Sequence, residues 1–194
     1  MKISAGLMMY HFRDRELEVL LCHPGGPFWR DKDIWAIPKG KVEDGEDIFI
    51  AAKIEFCEET GLTLLNNEVY IPLNSVVQKS GKITHCWAFE NNLDPLPECN
   101  SNFCSVEWPK GSGTILTIPE IDKMAWFNGT QVREKMREDQ QELFNRLKEI
   151  IFGEKNKYIR VEDLFKNAFA TTIVEDVRKQ IQEENANKFI DKDK

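Results

Sequence analysis

The sequence predicts a domain of the α/β class, and three observations lead to that prediction. Apolar segments of strand length lie on both sides of a stretch with helical spacing at residues 46–60. Loops rich in Gly and Pro separate these segments. A second helical pattern at residues 131–152 follows the last strand-like segment. Strands that alternate with helices are typical of helices packed on a sheet.

The first part of the chain predicts a strand hairpin, a long loop and a helix. The hairpin consists of ISAGLMMY and LEVLLCH, joined by RDRE. The loop HPGGPFWRDKD leads to IWAIP, which has the composition of a short strand, and then to the turn-rich KGKVEDGED. We expect Asp44 to cap a helix that begins near Glu46, with acidic residues in its first turn. The helix is predicted to end near Thr60, with Gly61 as the residue that terminates it.

The later part predicts a second hairpin, a last strand and a helix. NEVYIPLNSVVQ and KITHCWAFE are expected to pair across KSGK. NNLDPLPECN and WPKGSG are interpreted as a linker and a loop, and MAWF as the last strand before the helix at 131–152. The predicted domain covers residues 1–153. Residues 154–194 are predicted to be a C-terminal helical extension with a disordered end, either packed on the domain or serving as a dimer arm.

The composition narrows the classes of protein. A length of 194 residues fits one domain with an extension. The net charge of −7 gives no general attraction to nucleic acid or to an anionic membrane. No apolar run reaches the roughly 18–20 residues of a membrane span, and the first residues do not resemble a signal peptide. The five cysteines, with no C-x-x-C pair, indicate reduced thiols and a cytoplasmic location. A homodimer is left open.

The segment AAKIEFCEETGL carries an unusual group of acids. Glu55, Glu58 and Glu59 lie three or four residues apart, so a helix places their carboxylates on one face. Mutual repulsion and the negative end of the helix both disfavour this arrangement. Divalent cations reverse that balance, because Mg²⁺ and Mn²⁺ prefer hard oxygen ligands. The alternative is a solvated acidic face with no ligand.

The surrounding residues favour the metal interpretation. They follow the pattern G-x5-E-x7-R-E-U-x-E-E-x-G-U, where U is a large apolar residue, at every defined position but one. The matching residues are Gly40, Glu46, Glu55, Phe56, Glu58, Glu59, Gly61 and Leu62. This pattern resembles the Nudix box, and the resemblance covers about residues 3–150. The exception is Ile54, which stands where the pattern has arginine.

The resemblance implies a Nudix fold, an α/β/α sandwich with a mixed sheet. It implies a Mg²⁺-dependent pyrophosphohydrolase, with Mn²⁺ as a substitute, that cleaves a nucleoside diphosphate linked to another group X. Glu55, Glu58 and Glu59 would hold metal, while Gly40, Glu46 and Gly61 would support the loop–helix–loop. The general base would be either Glu55 or Glu120, a glutamate in the loop before the last strand.

The substrate is less well defined by the sequence. We expect Lys39 and Lys41 to contact phosphate and Trp35 to contact the substrate. The P-K-G sequence before the box looks like the dinucleoside-polyphosphate branch, with nucleoside-triphosphate and diphosphoinositol hydrolases left open. The chain is also similar to bacterial Nudix proteins described as predicted NTP pyrophosphohydrolases. A calcium-binding loop at VEDGED is excluded because the EF-hand spacing is absent.

Ile54 raises the alternative that turnover is lost. In the family, the arginine at this position is thought to orient the box glutamates. Lys53 points about 100° away on an ideal helix and is a poor replacement. Either a cation from elsewhere takes this role or the metal site is weak. A binding module that senses a nucleotide or ADP-ribose is therefore the competing function, although the retained glutamates favour an enzyme.

Overall fold

A six-stranded sheet forms the middle of the fold in the computed structural model, which describes residues 2–153. A separate hairpin of two strands and three α-helices complete it. The strands are β1 (Ile3–Arg13), β2 (Glu16–Pro24), β3 (Lys39–Lys41), β4 (Tyr70–Val77), β5 (Ile83–Glu90), β6 (Phe103–Glu107), β7 (Ile115–Pro119) and β8 (Ile121–Asn128). The helices are α1 (Ile48–Thr60), α2 (Gly129–Lys135) and α3 (Gln141–Phe152), with a 3-10 turn at Glu138–Gln140.

Strand β1 is the centre of the sheet, whose order is β4-β5-β1-β2-β8. It runs parallel to β5 from Ile3 to Tyr10. On its other edge it pairs with β3 near its start and with β2 near its end, both antiparallel. The mixed sheet expected from the resemblance is therefore confirmed. Strand β3 belongs to this sheet because it pairs with the part of the β1 edge that β2 leaves free.

Both faces of the sheet are covered. On one face, alternate residues of β1 pack against α1 in a buried cluster of Ala5, Leu7, Met9, Leu20, Ala51, Ala52, Phe56 and Phe89. Met8 is also fully buried and points to the opposite face, because successive strand residues alternate. Helix α3 buries a separate apolar stripe of Leu143, Phe144 and Leu147. Helices packed on a mixed sheet confirm the predicted α/β sandwich.

The start of α1 differs from the prediction. The cap is Asp47, whose side-chain Oδ1 accepts hydrogen bonds from the backbone N–H groups of Phe49 and Ile50, both at 2.9 Å. The predictions of Asp44 as cap and of acidic residues in the first turn are therefore wrong, and Glu46 lies in the loop before the helix. The predicted end is correct, since Gly61 has the left-handed φ of 73° and donates to the carbonyl of Cys57.

Pairing between distant segments explains the remaining differences. Residues 34–38 form only isolated bridges instead of a strand, whereas Lys39–Lys41, predicted as loop, pairs with β1. The predicted helix at 131–152 is interrupted because Trp35 exchanges backbone hydrogen bonds with Lys135 and Arg137. The last strand is longer than MAWF, and the hairpin β6–β7 was not predicted.

The compact unit that contains the sheet ends at Glu149. The predicted extension at 154–194 lies outside the described residues, so the boundary at residue 153 stays a prediction. No helix among residues 2–153 is long and apolar enough to cross a membrane. All five cysteines are free.

We predict that Asp47→Ala lowers the free energy of unfolding by about 1 kcal/mol, because two N–H groups at the start of α1 lose their acceptor. Urea unfolding followed by circular dichroism measures this. Asp44→Ala is the matched control and should change stability by less than about 0.5 kcal/mol. A larger loss from Asp44→Ala than from Asp47→Ala would contradict the capping assignment.

Candidate functional site

The Glu55 carboxylate of α1 occupies the space that a side chain at position 40 of β3 would need. A Cβ atom on Gly40 would come within 1.7 Å of the carboxyl carbon of Glu55 and 1.9 Å of both its oxygens. A larger residue at position 40 would therefore displace the Glu55 carboxylate. Gly40 leaves room for the Glu55 carboxylate over β3, which gives the glycine of the motif a physical role.

Glu59 is held by the same strand. It is only 7% exposed, and its Oε2 accepts a hydrogen bond of 2.6 Å from the backbone N–H of Lys39. A buried carboxylate is costly unless its oxygens are satisfied, and this bond supplies one partner. Two consecutive residues of β3 thus position two of the predicted metal ligands.

Glu120 joins these two carboxylates from the end of β7. Its backbone is anchored twice, since its N–H donates to Asn102 at 3.0 Å and its carbonyl accepts from Gly25 at 2.8 Å. Burial is the largest cause of the raised pKa of Glu55 and Glu59, and the negative charge of Glu120 raises both further. The glutamate singled out in the sequence is therefore close to the box carboxylates.

The site carries more negative charge than its cations balance. Burial raises the pKa of Glu55 to about 7, with further increases from the charges of Glu58, Glu120 and Glu46 and an opposing effect of Lys39. Burial also raises the pKa of Glu59 to about 7, opposed by the charge and N–H of Lys39. Such a group of carboxylates fits a divalent cation. Within residues 2–153, no three acids, histidines or cysteines are already gathered around one point.

The other predicted polar residues lie around this centre. Glu58 is exposed on α1, one turn from Ile54. Glu46 accepts a hydrogen bond of 3.0 Å from the backbone N–H of Glu43, which closes the loop before α1. The ammonium of Lys41 binds the carboxylate of Glu43 at 2.7 and 2.9 Å, so it is held on the loop surface.

Trp35 lies in the core and away from open solvent. It is 9% exposed, its indole N–H donates to Asp33 at 2.6 Å, and its ring packs on Phe127 with centroids 4.8 Å apart. These contacts occupy the ring, so the structure does not bring Trp35 to the carboxylates as a stacking surface.

Neither residue 53 nor residue 54 supplies the cation of the motif. Ile54 is 45% exposed, and the Lys53 ammonium lies 4.6 Å from the ring centroids of both Phe49 and Tyr70. Among residues 2–153, Lys39 is a cation whose charge lowers the pKa of both Glu55 and Glu59, against the larger effect of burial.

Lys82 is a charged neighbour that the sequence did not indicate. Burial lowers its pKa, as do the nearby cations Lys39, Arg137 and Lys2, while Glu55 opposes the shift. Lys82 belongs to the KSGK segment, which the sequence predicts as a hairpin turn. Nothing in that segment indicates a functional site.

The family of this chain follows from its sequence match. The NUDIX domain family matches residues 2–147, which is most of the chain. This chain belongs to the Nudix family. Its box runs from Gly40 in β3 through the loop and α1 to Leu62, and the family generally uses divalent metal ions.

Two curated relatives are similar over short segments. An RNA pyrophosphohydrolase of Caulobacter vibrioides is 42% identical over 52 residues, which cover 23% of this chain and 30% of that protein. Nudix hydrolase 7 of Arabidopsis thaliana is 33% identical over 60 residues, covering 31% of this chain and 21% of that protein. The matches thus span less than a third of the length of these relatives.

Solved structures share the fold. An Ap4A hydrolase from C. elegans, crystallised as a binary complex, has a TM-score of 0.56 at 20% identity, covering 77% of this chain and 98% of that one. The NUDIX domain of Shewanella oneidensis NrtR, complexed with ADP ribose, has a TM-score of 0.51 at 15% identity, covering 77% and 87%. At these identities the similarity concerns the fold alone.

We predict that the metal-free protein loses stability as pH rises from about 4.5 to 7. The folded-state pKa of Glu59 is raised to about 7 from an ordinary 4.5, so its favourable contribution is present below pH 4.5 and lost as pH passes 7. Glu59→Gln removes the part of this dependence that Glu59 contributes, because the amide stays neutral and keeps an acceptor for Lys39. In chelator, the variant should gain about 1–3 kcal/mol over the wild type between pH 5 and 8.

The exposed Glu134→Gln is the control for this experiment and should follow the wild type at every pH. Unfolding free energies from urea titrations at several pH values give the comparison. A constant difference between wild type and Glu59→Gln across this range would contradict the buried, charge-crowded environment of Glu59.

Proposed function

We propose that this protein is a Mg²⁺-dependent Nudix pyrophosphohydrolase in the cytoplasm that cleaves a nucleoside diphosphate linked to a second group. A dinucleoside polyphosphate or a nucleoside triphosphate is the favoured substrate. The observation that carries the proposal is the placement of Glu55 against Gly40 and of Glu59 on the Lys39 N–H, with Glu120 close to both. Neighbouring carboxylates whose charge is only partly balanced are suited to cations that bind phosphate.

The residues fit a metal site in their chemistry. Glu55, Glu58 and Glu59 would hold Mg²⁺, with Mn²⁺ as a substitute. When bound, the cation would neutralise the pyrophosphate and make the attacked phosphorus more electrophilic. Lys39 and Lys82 bring positive charge to the same region, where they would attract the phosphate chain of the substrate.

Two carboxylates are candidates for the general base that takes the proton of the attacking water. A pKa of about 7 suits Glu55 to this role, because an efficient base titrates near the working pH. Glu120 is the second candidate, since it lies at the site on a different element with a firmly anchored backbone. The family resemblance offers both residues, and comparing the pH profiles of Glu55→Gln and Glu120→Gln distinguishes them.

Ile54 is the observation that favours the competing function. The side chain cannot pair with Glu58, so the exposed carboxylate lacks the cation of the family pattern. A weak metal site would leave a domain that binds a nucleotide or ADP-ribose without hydrolysing it. A screen of Nudix substrates with Mg²⁺ and Mn²⁺, with products separated by chromatography, tests both functions. Binding without product would support the sensor.

We predict that Glu58→Gln and Glu59→Gln each reduce turnover at least about a hundredfold at limiting Mg²⁺, because the amide keeps the shape and removes the charge that binds metal. Initial rates on the best substrate of the screen measure the effect. Glu134→Gln on α2 should retain the wild-type rate. Wild-type rates in both box variants would refute their role as ligands.

We predict that Ile54→Arg lowers the Mg²⁺ concentration for half-maximal rate by roughly threefold to tenfold. The exposed position accepts a guanidinium without burial, one turn from Glu58. An ion pair near a partly buried site contributes more than one on an open helix surface. Metal titrations of the rate, together with melting temperatures, measure the change.

Ile50→Arg is the matched control for that variant. Ile50 is 49% exposed on the same helix, two turns from Glu58, and an arginine there should leave the metal dependence unchanged. Equal effects of the two substitutions would show that the response is a general consequence of added positive charge. An unchanged metal dependence in Ile54→Arg would refute the orienting role of this position.

A further inference from the structure

The segment before β3 pairs with the chain that follows α2. Trp35 donates to the carbonyl of Lys135 and accepts from the N–H of Arg137, both at 2.9 Å, which is the hydrogen-bond pattern of a parallel ladder. The next bond of such a ladder would join the N–H of Ile37 to the carbonyl of Arg137. That carbonyl instead accepts from the N–H of Gln140 at 2.9 Å, where the chain turns towards α3. The backbone ladder therefore stops after Trp35.

The side chain of Gln140 takes the place of the missing backbone acceptor. Its Oε1 accepts the N–H of Ile37 at 3.0 Å, and both residues are buried. Among residues 2–153, its Nε2 has no hydrogen-bond partner. An unpaired buried amide group costs free energy, so the hydrogen bond of the oxygen is the contact that explains a polar residue at this position.

This hydrogen bond lies two residues before the one that holds Glu59. Lys39, whose N–H donates to Glu59 Oε2 at 2.6 Å, follows Ile37 after a proline, Pro38. Proline has a φ fixed at about −65° and restricts the conformation of the residue before it. Pro38 is also held by β1, since its carbonyl accepts the N–H of Leu7 at 3.3 Å. Because this connection is stiff, a displacement of Ile37 also displaces the N–H of Lys39.

From this arrangement we propose that Gln140 is a positioning residue of the metal site, which acts through Ile37 and Pro38 on the N–H group that binds Glu59. This inference rests on the proposed function, because it concerns the same metal ligands. Without the Gln140 oxygen, the buried N–H of Ile37 loses its acceptor, and the segment before β3 shifts to find another. The hydrogen bond to Glu59 then weakens, and this carboxylate is no longer held beside Glu55.

Gln140→Met tests the proposal, because methionine has a similar length and lacks the amide oxygen. Hydrogen exchange of the Lys39 amide, measured by NMR in the metal-free protein, reports the bond to Glu59 without depending on turnover. We expect this amide to exchange roughly tenfold faster in the variant, as for a weakened hydrogen bond to a charged group. Gln140→Glu keeps an oxygen at the same distance along the side chain and should preserve slow exchange.

Titration calorimetry with Mg²⁺ and with Mn²⁺ measures the consequence for the site. The dissociation constants should rise roughly 10- to 100-fold in Gln140→Met, which is the range for removal of a group that orients a metal ligand. Melting temperatures show whether the variants fold. If Gln140→Met does not fold, Gln140→Asn replaces it, because it withdraws the oxygen from Ile37 by one methylene and keeps the amide.

Leu147→Ala is the control for a loss of stability that leaves the Gln140 bond in place. Leu147 is fully buried on α3, and the cavity should lower the melting temperature at least as much as Gln140→Met does. Its metal affinity and the exchange of the Lys39 amide should stay within about twofold of the wild type, because the two sites are independent. Equal effects of the two variants would overturn the positioning role, since they would follow from stability alone.

Faster exchange of the Lys39 amide together with weaker metal binding in Gln140→Met supports the proposal, even if no substrate is hydrolysed. Unchanged exchange overturns it, and so does an unchanged metal affinity. Absence of Mg²⁺ and Mn²⁺ binding by the wild type also overturns it. Failure of the proposed function gives a different result, namely a wild-type protein that binds metal and yields no product in the substrate screen.

Discussion

The close approach of α1 to the short strand β3 is the constraint on which the site depends. It places Glu55 over Gly40 and lets Glu59 accept the Lys39 N–H, so a strand of three residues fixes two carboxylates. The approach itself is produced by the core, where Phe56 packs edge to face on Phe89 of β5 with centroids 5.3 Å apart. Packing at buried positions of α1 thus determines the geometry of the acids beside them.

The motif could be found from the sequence because its parts are local. Residues 40 to 62 fold into one strand–loop–helix unit, and the periodicity of the helix places Glu55 and Glu59 on adjacent turns. The same locality made the end of α1 at Gly61 predictable. Its start was missed because Asp44 and Asp47 are both suitable caps, and only the position of the first helical turn decides between them.

Features that depend on distant residues could not be predicted in the same way. The break between α2 and α3 exists because Trp35 pairs with residues about a hundred positions later, which a helical pattern does not reveal. The hairpin β6–β7 consists of strands of five residues in which apolar Phe103 and Ile115 stand at exposed positions, so the alternation of exposed and half-buried residues is not visible in the sequence. Two further features could not be predicted because they depend on residues far apart in sequence. Lys82 lies near charged residues of other segments, and Phe28 contacts Trp108.

Electrostatics explains why such a site remains compatible with a folded protein. Two carboxyls with a pKa near 7 are partly protonated at neutral pH, which relieves repulsion that fully charged groups would impose. A bound cation would replace those protons, so the affinity for metal should be coupled to pH. Lys39 already offsets part of the charge through its backbone and side chain. The absence of an arginine at Ile54 therefore leaves Glu58, the most exposed of the box acids, with the weakest local support. Of the three predicted ligands, it is the one whose position would depend most on a bound cation.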